Sequence, residues 1–161
     1  IMAGGPVAAT RSLIDIYEAT GAGAIDVEEV PREKVHMYGI VDAKPAKDSR
    51  WGDRLLRVTD LVEKPSAENA PSNLAVSGRY VLPAETFEYL LKTKPGAGGE
   101  IQLTDALRQL AQADKMMAYI YEGKTYDAGD KLGFLQANVE FGLKDPNLGK
   151  AFREYLRGLK L

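Results

Sequence analysis

Segments with helical periodicity alternate with short apolar runs along this chain. Between Val7 and Thr20 the apolar residues fall on one stripe of a helix, and Gly21 supplies a stop. Strands are predicted over residues 25–30, 37–41, 75–82 and 116–121, and from Leu55 into Glu63 after a polar turn at 44–53. Further helices are predicted over 84–92, 100–113, 131–143 and 147–159. This alternation predicts an α/β fold.

The composition is that of a globular chain without a broad charge bias. The sequence has 161 residues, of which 45% are hydrophobic, enough for about one core. Its 21 basic and 23 acidic residues leave a formal charge of -2, so neither nucleic acid nor an acidic membrane is an expected partner. Cysteine does not occur, and no apolar run approaches the ~20 residues that span a bilayer. We therefore expect a cytoplasmic protein.

The adjacent pair Glu63 and Lys64 stands where a strand pattern runs into a turn at Pro65. Neighbouring strand residues point to opposite faces, so an adjacent acceptor and cation serve one ligand only where the strand is ending. At such a point the two groups suit a hydroxyl-rich ligand that carries phosphate. The alternative is a solvated charge pair before a turn-forming proline.

The residues around this pair form recognisable motifs. The segments 62–65 (VEKP) and 72–80 (SNLAVSGRY) resemble two elements of the sugar-nucleotide pyrophosphorylases, and 99–105 (GEIQLTD) is similar to their uridylyltransferase branch. The resemblance extends from about Tyr38 to the C-terminus. It implies a Rossmann-like nucleotidyltransferase fold with a mixed β-sheet and C-terminal helices. It also implies UTP and glucose 1-phosphate as substrates, and UDP-glucose and pyrophosphate as products.

The resemblance assigns roles to individual positions. Glu63 is implied to accept hydrogen bonds from glucose hydroxyls, and Lys64 to be the catalytic residue that meets the sugar's phosphate and the charge developing during transfer. Gly39 is implied to line the sugar pocket with its backbone. The other implied substrate-binding positions on this side of the cleft are Asn73, Gly78, Glu100 and Gln102. From the residues alone, tight packing of the glycines and helix capping by Glu100 and Gln102 stay open.

The segment before the fourth predicted helix carries an implied metal ligand. By resemblance Asp127 holds a catalytic Mg²⁺, and Gly129 permits close approach of phosphate or sugar. One carboxylate suffices if phosphate oxygens, water and a carboxylate elsewhere complete the shell. A helix cap or turn is the alternative role of Asp127. Asp130 stands immediately before the helix and is the better cap, which leaves Asp127 free.

The glycine-rich loop with which these enzymes wrap the nucleoside triphosphate does not occur in residues 1–161. We therefore expect the chain to be the C-terminal portion of a nucleotidyltransferase domain, with the sugar-phosphate side and the C-terminal helices, and to be inactive alone. The sheet edge that the first half covers would then be exposed. An exposed edge favours self-association into a homo-oligomer.

Two other hypotheses stay open at this point. A related pyrophosphorylase, such as a thymidylyltransferase, would share the sugar site and differ in the base it selects. A non-catalytic sugar-phosphate-binding or assembly module is favoured by the same missing loop. It is also favoured by the apolar stripe of the last helix, formed by Phe152, Tyr155, Leu156 and Leu159.

Overall fold

The computed structural model describes residues 2–3, 7–96 and 99–160, without the side chains of residues 2–3. The chain divides into two compact units, a larger one over residues 5–122 and a smaller one over residues 1–4 and 123–161. No helix in the described ranges is long and apolar enough to cross a membrane.

The helices and strands follow the predicted alternation and confirm the α/β class. The strands are β1 (Met2–Ala3), β2 (Gly23–Glu29), β3 (Gly39–Pro45), β4 (Leu55–Glu63), β5 (Leu74–Val81), β6 (Met116–Ile120) and β7 (Lys124–Thr125). The helices are α1 (Ala9–Thr20), α2 (Thr86–Lys92), α3 (Leu103–Gln112), α4 (Lys131–Lys144) and α5 (Gly149–Gly158).

The strands of the larger unit pair in a closed ring. Their order is β2-β5-β3-β4-β6, and β6 pairs back onto β2. The β2–β6 pair is parallel and the other pairs of the ring are antiparallel, which confirms the mixed sheet. Each strand of the ring has two neighbours. Among residues 23–120 the prediction of an exposed sheet edge is therefore wrong for β2 and β4, because β6 supplies the second neighbour of both. It stays a prediction for β5, which pairs with β3 only at Leu74 and Ala75.

Two apolar clusters hold helices against this ring. Ile25 and Val27 of β2 pack with Leu107 of α3, whereas the intervening face of the strand contributes Ala24 to a cluster with Leu13 of α1. This alternation is the period-2 pattern of a strand covered on both faces. Burying one large apolar side chain stabilises the fold by roughly 1.5–3 kcal/mol. Several such side chains hold each of the two helices against the ring.

Several predicted boundaries are wrong. The strand predicted over 37–41 begins at Gly39, because Arg32–Met37 forms a 3-10 turn. It then continues to Pro45, which lies opposite Leu56 of β4. The strand therefore includes the first two residues of the turn predicted over 44–53. The helices predicted from residues 84 and 100 begin at Thr86 and Leu103. The end of β3 is set by pairing with a distant segment, which local sequence does not reveal.

The smaller unit combines a short ladder with the last two helices. Met2 lies opposite Thr125 in the antiparallel pair β1–β7, which the sequence did not predict. Helix α4 begins directly after Asp130, whose Oδ2 accepts a hydrogen bond from the Gly133 N–H at 2.8 Å. This contact confirms the predicted N-terminal cap.

Candidate functional site

The pair predicted to bind sugar phosphate lies at the end of β4. Glu63 is the last residue of that strand and pairs with Gly39, the first residue of β3. The Lys64 N–H donates to the carbonyl oxygen of Tyr38 at 3.0 Å, which is the last contact of the β3–β4 ladder. The pair therefore occupies a strand end, as the adjacent acceptor and cation require.

Lys64 has a left-handed backbone conformation, with φ of 45°. This conformation is uncommon for residues other than glycine and costs of order 1–3 kcal/mol, so it persists only where the surrounding structure enforces it. The Lys64 Nζ lies 3.9 Å from Glu63 Oε1, although neighbouring strand residues ordinarily face apart. The turned backbone thus brings the cation and the carboxylate to the same side, with 63% of the lysine side chain exposed.

The Glu63 carboxylate is held by a residue from a distant part of the chain. Its Oε2 accepts a hydrogen bond from Thr104 Oγ1 at 2.6 Å, across 41 residues of sequence. A Cβ atom placed on Gly39 would lie 3.1 Å from this Oε2. Glycine at position 39 therefore gives the carboxylate room, which is a physical reason for the glycine beside its backbone role.

Tyr80 of β5 lies in the electrostatic field of the same carboxylate. Burial, and secondarily the negative charge of Glu63, raise the pKa of the Tyr80 phenol above its ordinary value. The phenol therefore stays protonated at neutral pH.

Asn73 and Gly78 flank the part of β5 that adjoins this region. Val76 Cγ2 would lie 3.8 Å from a Cβ atom on Gly39, so Val76 marks the point of closest approach. Asn73 lies three residues before it, about 10 Å along the strand, where its carbonyl accepts from the Val30 N–H at 3.0 Å. Gly78 has φ of 80° and open space around it. The described contacts therefore join neither residue directly to Glu63.

Glu100 and Gln102 lie in the segment that leads into α3. The Glu100 carbonyl accepts from the Gly96 N–H at 2.8 Å, which closes the loop before the helix. Gln102 is the residue preceding α3, yet its side chain makes no capping hydrogen bond. The capping alternative is therefore not realised for Gln102. Both residues stand within four positions of Thr104, at the entrance of the helix that contacts Glu63.

Asp127 and Gly129 belong to the smaller unit and form a local turn. Asp127 Oδ1 accepts a hydrogen bond from the Gly129 N–H at 2.9 Å, so the carboxylate is not left wholly free. A Cβ atom on Gly133 would overlap the Asp127 carbonyl oxygen, so α4 packs directly against the Asp127 backbone. The Asp127 carboxylate is thus exposed. One of its oxygens makes the turn contact, and the packing of α4 fixes the backbone that carries it.

The carboxylates of the described residues do not assemble a complete metal site. Across residues 7–96 and 99–160, no three histidine, cysteine, aspartate or glutamate side chains converge to hold an ion. Asp127 fits the role of one ligand, because its second oxygen has no hydrogen bond among those of the turn and Mg²⁺ ordinarily takes one or two carboxylates.

Thr104 and Tyr80 are the functional candidates that sequence reasoning missed. Both lie inside motifs that had been recognised as wholes, 99–105 and 72–80, without a role for either side chain. A threonine in the first turn of a predicted helix gives no sign of a partner 41 residues away. The signal for both residues was their membership of these two motifs.

The larger unit is thus a ring of mixed strands with an acceptor and a cation turned to one side at a strand end. The chain belongs to the nucleotidyl transferase family, whose sequence pattern matches residues 8–142.

Its relatives are more specific than the family. The chain is 46% identical over 153 residues to a UTP–glucose-1-phosphate uridylyltransferase of Staphylococcus saprophyticus, covering 95% of this chain and 51% of that protein. Its fold matches a UTP-bound UDP-glucose pyrophosphorylase from Acinetobacter baumannii with a TM-score of 0.83 and 39% identity, covering 99% of this chain and 54% of the other. A UDP-glucose pyrophosphorylase complexed with UDP-glucose matches with a TM-score of 0.76 and 38% identity, over 84% and 49% of the two chains. The chain spans about half the length of the curated relatives it matches.

Proposed function

We propose that this chain is the sugar-phosphate-binding portion of a UTP–glucose-1-phosphate uridylyltransferase. The observation that carries the proposal is the strand end at which Glu63 and Lys64 face the same side, 3.9 Å apart. The names of the relatives at 42–46% identity support the choice of UTP and glucose 1-phosphate as substrates.

The proposed reaction is an in-line displacement. An oxygen of the glucose 1-phosphate attacks the α-phosphorus of UTP, the bond from that phosphorus to the β-phosphate breaks, and pyrophosphate leaves. In this scheme no side chain forms a covalent bond. Lys64 positions the sugar's phosphate and stabilises charge in the transition state, while Glu63 accepts hydrogen bonds from the glucose hydroxyls.

The remaining substrate-binding positions take supporting parts in this proposal. Gly39 and Gly78 allow the ligand to approach the backbone, and Gly129 does so beside the metal ligand. Asn73, Glu100 and Gln102 supply polar groups around the sugar.

The proposal includes a divalent cation, Mg²⁺, held in part by Asp127. When bound, such an ion would neutralise charge on the transferring and leaving phosphates. A second carboxylate from the rest of the complete enzyme would share it, since Asp127 supplies one ligand oxygen beyond its turn contact. The complete enzyme also supplies the nucleotide loop. We propose a cytoplasmic location for this enzyme, and its self-association would rest on the exposed apolar side chains of α5, such as Tyr155.

A pyrophosphate-release assay tests this function. The full-length protein encoded by the native reading frame is called the native protein. It and the 161-residue chain are each incubated with glucose 1-phosphate and either UTP or dTTP. We expect UDP-glucose from the native protein with UTP, little product with dTTP, and none from the 161-residue chain. Preference for dTTP would favour a thymidylyltransferase. Sugar-phosphate binding without transfer in the native protein would favour a non-catalytic module, and transfer by the 161-residue chain would contradict the need for a separate nucleotide loop.

A further inference from the structure

Thr104 contacts the carboxylate that is proposed to bind sugar. It lies in the first turn of α3, half-buried, and its Oγ1 is 2.6 Å from Glu63 Oε2. That distance is typical of a hydroxyl donating to an ionised carboxylate. Such a hydrogen bond is roughly twice as strong as one between neutral groups.

The two oxygens of Glu63 have different neighbours. Oε2 accepts from Thr104, whereas Oε1 faces Lys64 Nζ at 3.9 Å. An ionised carboxylate only accepts hydrogen bonds, and a threonine hydroxyl has a single hydrogen to donate. Once that hydrogen is given to Oε2, the rotation of the carboxylate is fixed and Oε1 stays on the lysine side.

Gly39 leaves the space in which this contact forms. A Cβ atom at position 39 would lie 3.1 Å from Glu63 Oε2 and 3.7 Å from Thr104 Oγ1. The first distance is tighter than ordinary carbon–oxygen contact, so a larger residue would displace the carboxylate. The hydrogen bond between Thr104 and Glu63 therefore depends both on the pairing of β3 with β4 and on the position of α3.

We propose that Thr104 is a positioning residue that fixes the orientation in which Glu63 presents its oxygens to the sugar hydroxyls. The inference rests on the proposed function, because it names what orients a group in that same site. Thr104 acts through Glu63 and does not touch the reacting atoms. Its loss should therefore weaken sugar-phosphate binding and leave nucleotide binding intact.

A purely structural role for Thr104 would be to tether α3 to β4. The same helix carries a second tether one turn further on, where Arg108 Nε and Nη2 lie 2.6 and 3.0 Å from the two carboxylate oxygens of Asp60. Arg108→Gln removes this tether without touching Glu63. It is the matched control for the loss of the Thr104 hydroxyl.

Steady-state kinetics of the native protein test the inference with four variants. Thr104→Val and Thr104→Ala remove the donor, Thr104→Ser keeps it, and Arg108→Gln removes the other tether. We expect both donor-free variants to raise the KM for glucose 1-phosphate about tenfold, since the hydrogen bond that is lost is made to the charged carboxylate of Glu63, and to leave the KM for UTP unchanged. Thr104→Ser and Arg108→Gln should keep both constants near those of the unmodified protein.

Two results would overturn the inference. One is a donor-free variant that folds, as judged by its melting temperature, and retains the unmodified KM for glucose 1-phosphate. The other is an equal rise in this KM in Arg108→Gln, which would make Thr104 a tether. An unmodified native protein that makes no UDP-glucose would refute the proposed function and the inference together, whereas an active protein with unaffected Thr104 variants refutes the inference alone.

Discussion

The carboxylates of Glu63 and Asp127 are held in opposite ways. Glu63 accepts its hydrogen bond from Thr104, 41 residues later in the chain, and lies in a space left by Gly39. Asp127 accepts its hydrogen bond from Gly129, two residues later, in a turn that a short peptide can form. The first arrangement exists only in the folded larger unit, while the second is largely a property of local sequence.

The difference bears on how each group can serve a ligand. A carboxylate oriented by tertiary contacts is preorganised for a ligand of fixed shape, such as a sugar. An exposed carboxylate in a local turn suits a metal ion, whose remaining ligands are phosphate oxygens and water that adjust to it. We therefore expect substitutions at the Glu63 end to affect turnover or sugar affinity, and substitutions at Asp127 to affect metal dependence.

The largest expected effect concerns Lys64. Lys64→Ala should lower turnover of the native protein by about 10²–10³-fold, because a charge-stabilising group is lost from the site. Lys47→Ala is the matched control, since Lys47 is also exposed and also has a left-handed backbone, with φ of 54°. Turnover is measured at saturating substrates. Near-normal turnover of Lys64→Ala, or an equal loss in Lys47→Ala, would remove the charge of Lys64 from the mechanism.

A smaller effect is expected at Asp127. Asp127→Asn should raise the Mg²⁺ concentration needed for half-maximal rate by at least about tenfold, because the amide is a poorer ligand than the carboxylate. Asp130→Asn is the control, since asparagine caps a helix about as well as aspartate and the charge change is the same. Unchanged metal dependence with a lowered melting temperature would make Asp127 a turn residue only.

The larger unit also contains a carboxylate that, unlike that of Glu63, is buried without a hydrogen-bond partner in the described residues. Asp26 of β2 is fully buried, and neither of its oxygens has a hydrogen-bond partner within the described structure. Burial, aided by the negative charge of Glu28, raises the pKa of Asp26 to about 7, against an opposing effect of Arg79. The folded state therefore holds a proton that the unfolded state releases between pH 3.8 and about 7.

The sign of the resulting pH dependence follows from linkage. Because the folded-state pKa is the higher one, the contribution of Asp26 is lost as pH rises through this window, by at most about 1.4 kcal/mol per pH unit. Asp26→Asn should thus raise the melting temperature at pH 8 more than at pH 5. The control is Asp15→Asn in α1, because the Asp15 side chain is 40% exposed beside Arg11 and should show no such pH-dependent gain. Equal effects of Asp26→Asn at both pH values would show that the carboxylate is not desolvated.

Local pattern was sufficient for the order of elements and for the position of the Glu63–Lys64 pair, because a strand that runs into a proline turn has a visible signature in sequence. It was insufficient wherever distant segments meet. The closing of the ring by β6, the extension of β3 to Pro45 and the contact of Thr104 with Glu63 all depend on pairing across the fold. Asp26 escaped notice because the apolar residues around it in β2 make a convincing buried strand.

Because the backbone of Lys64 is left-handed, stability and activity favour different residues at position 64. Glycine adopts positive φ without the steric cost that lysine incurs there. A library of position-64 variants selected for thermal stability alone should therefore enrich glycine and deplete lysine, and a library selected for product formation should do the reverse. Efforts to raise the melting temperature of the native protein therefore need an activity screen from the first round, because selection for stability at position 64 favours a residue without the catalytic charge.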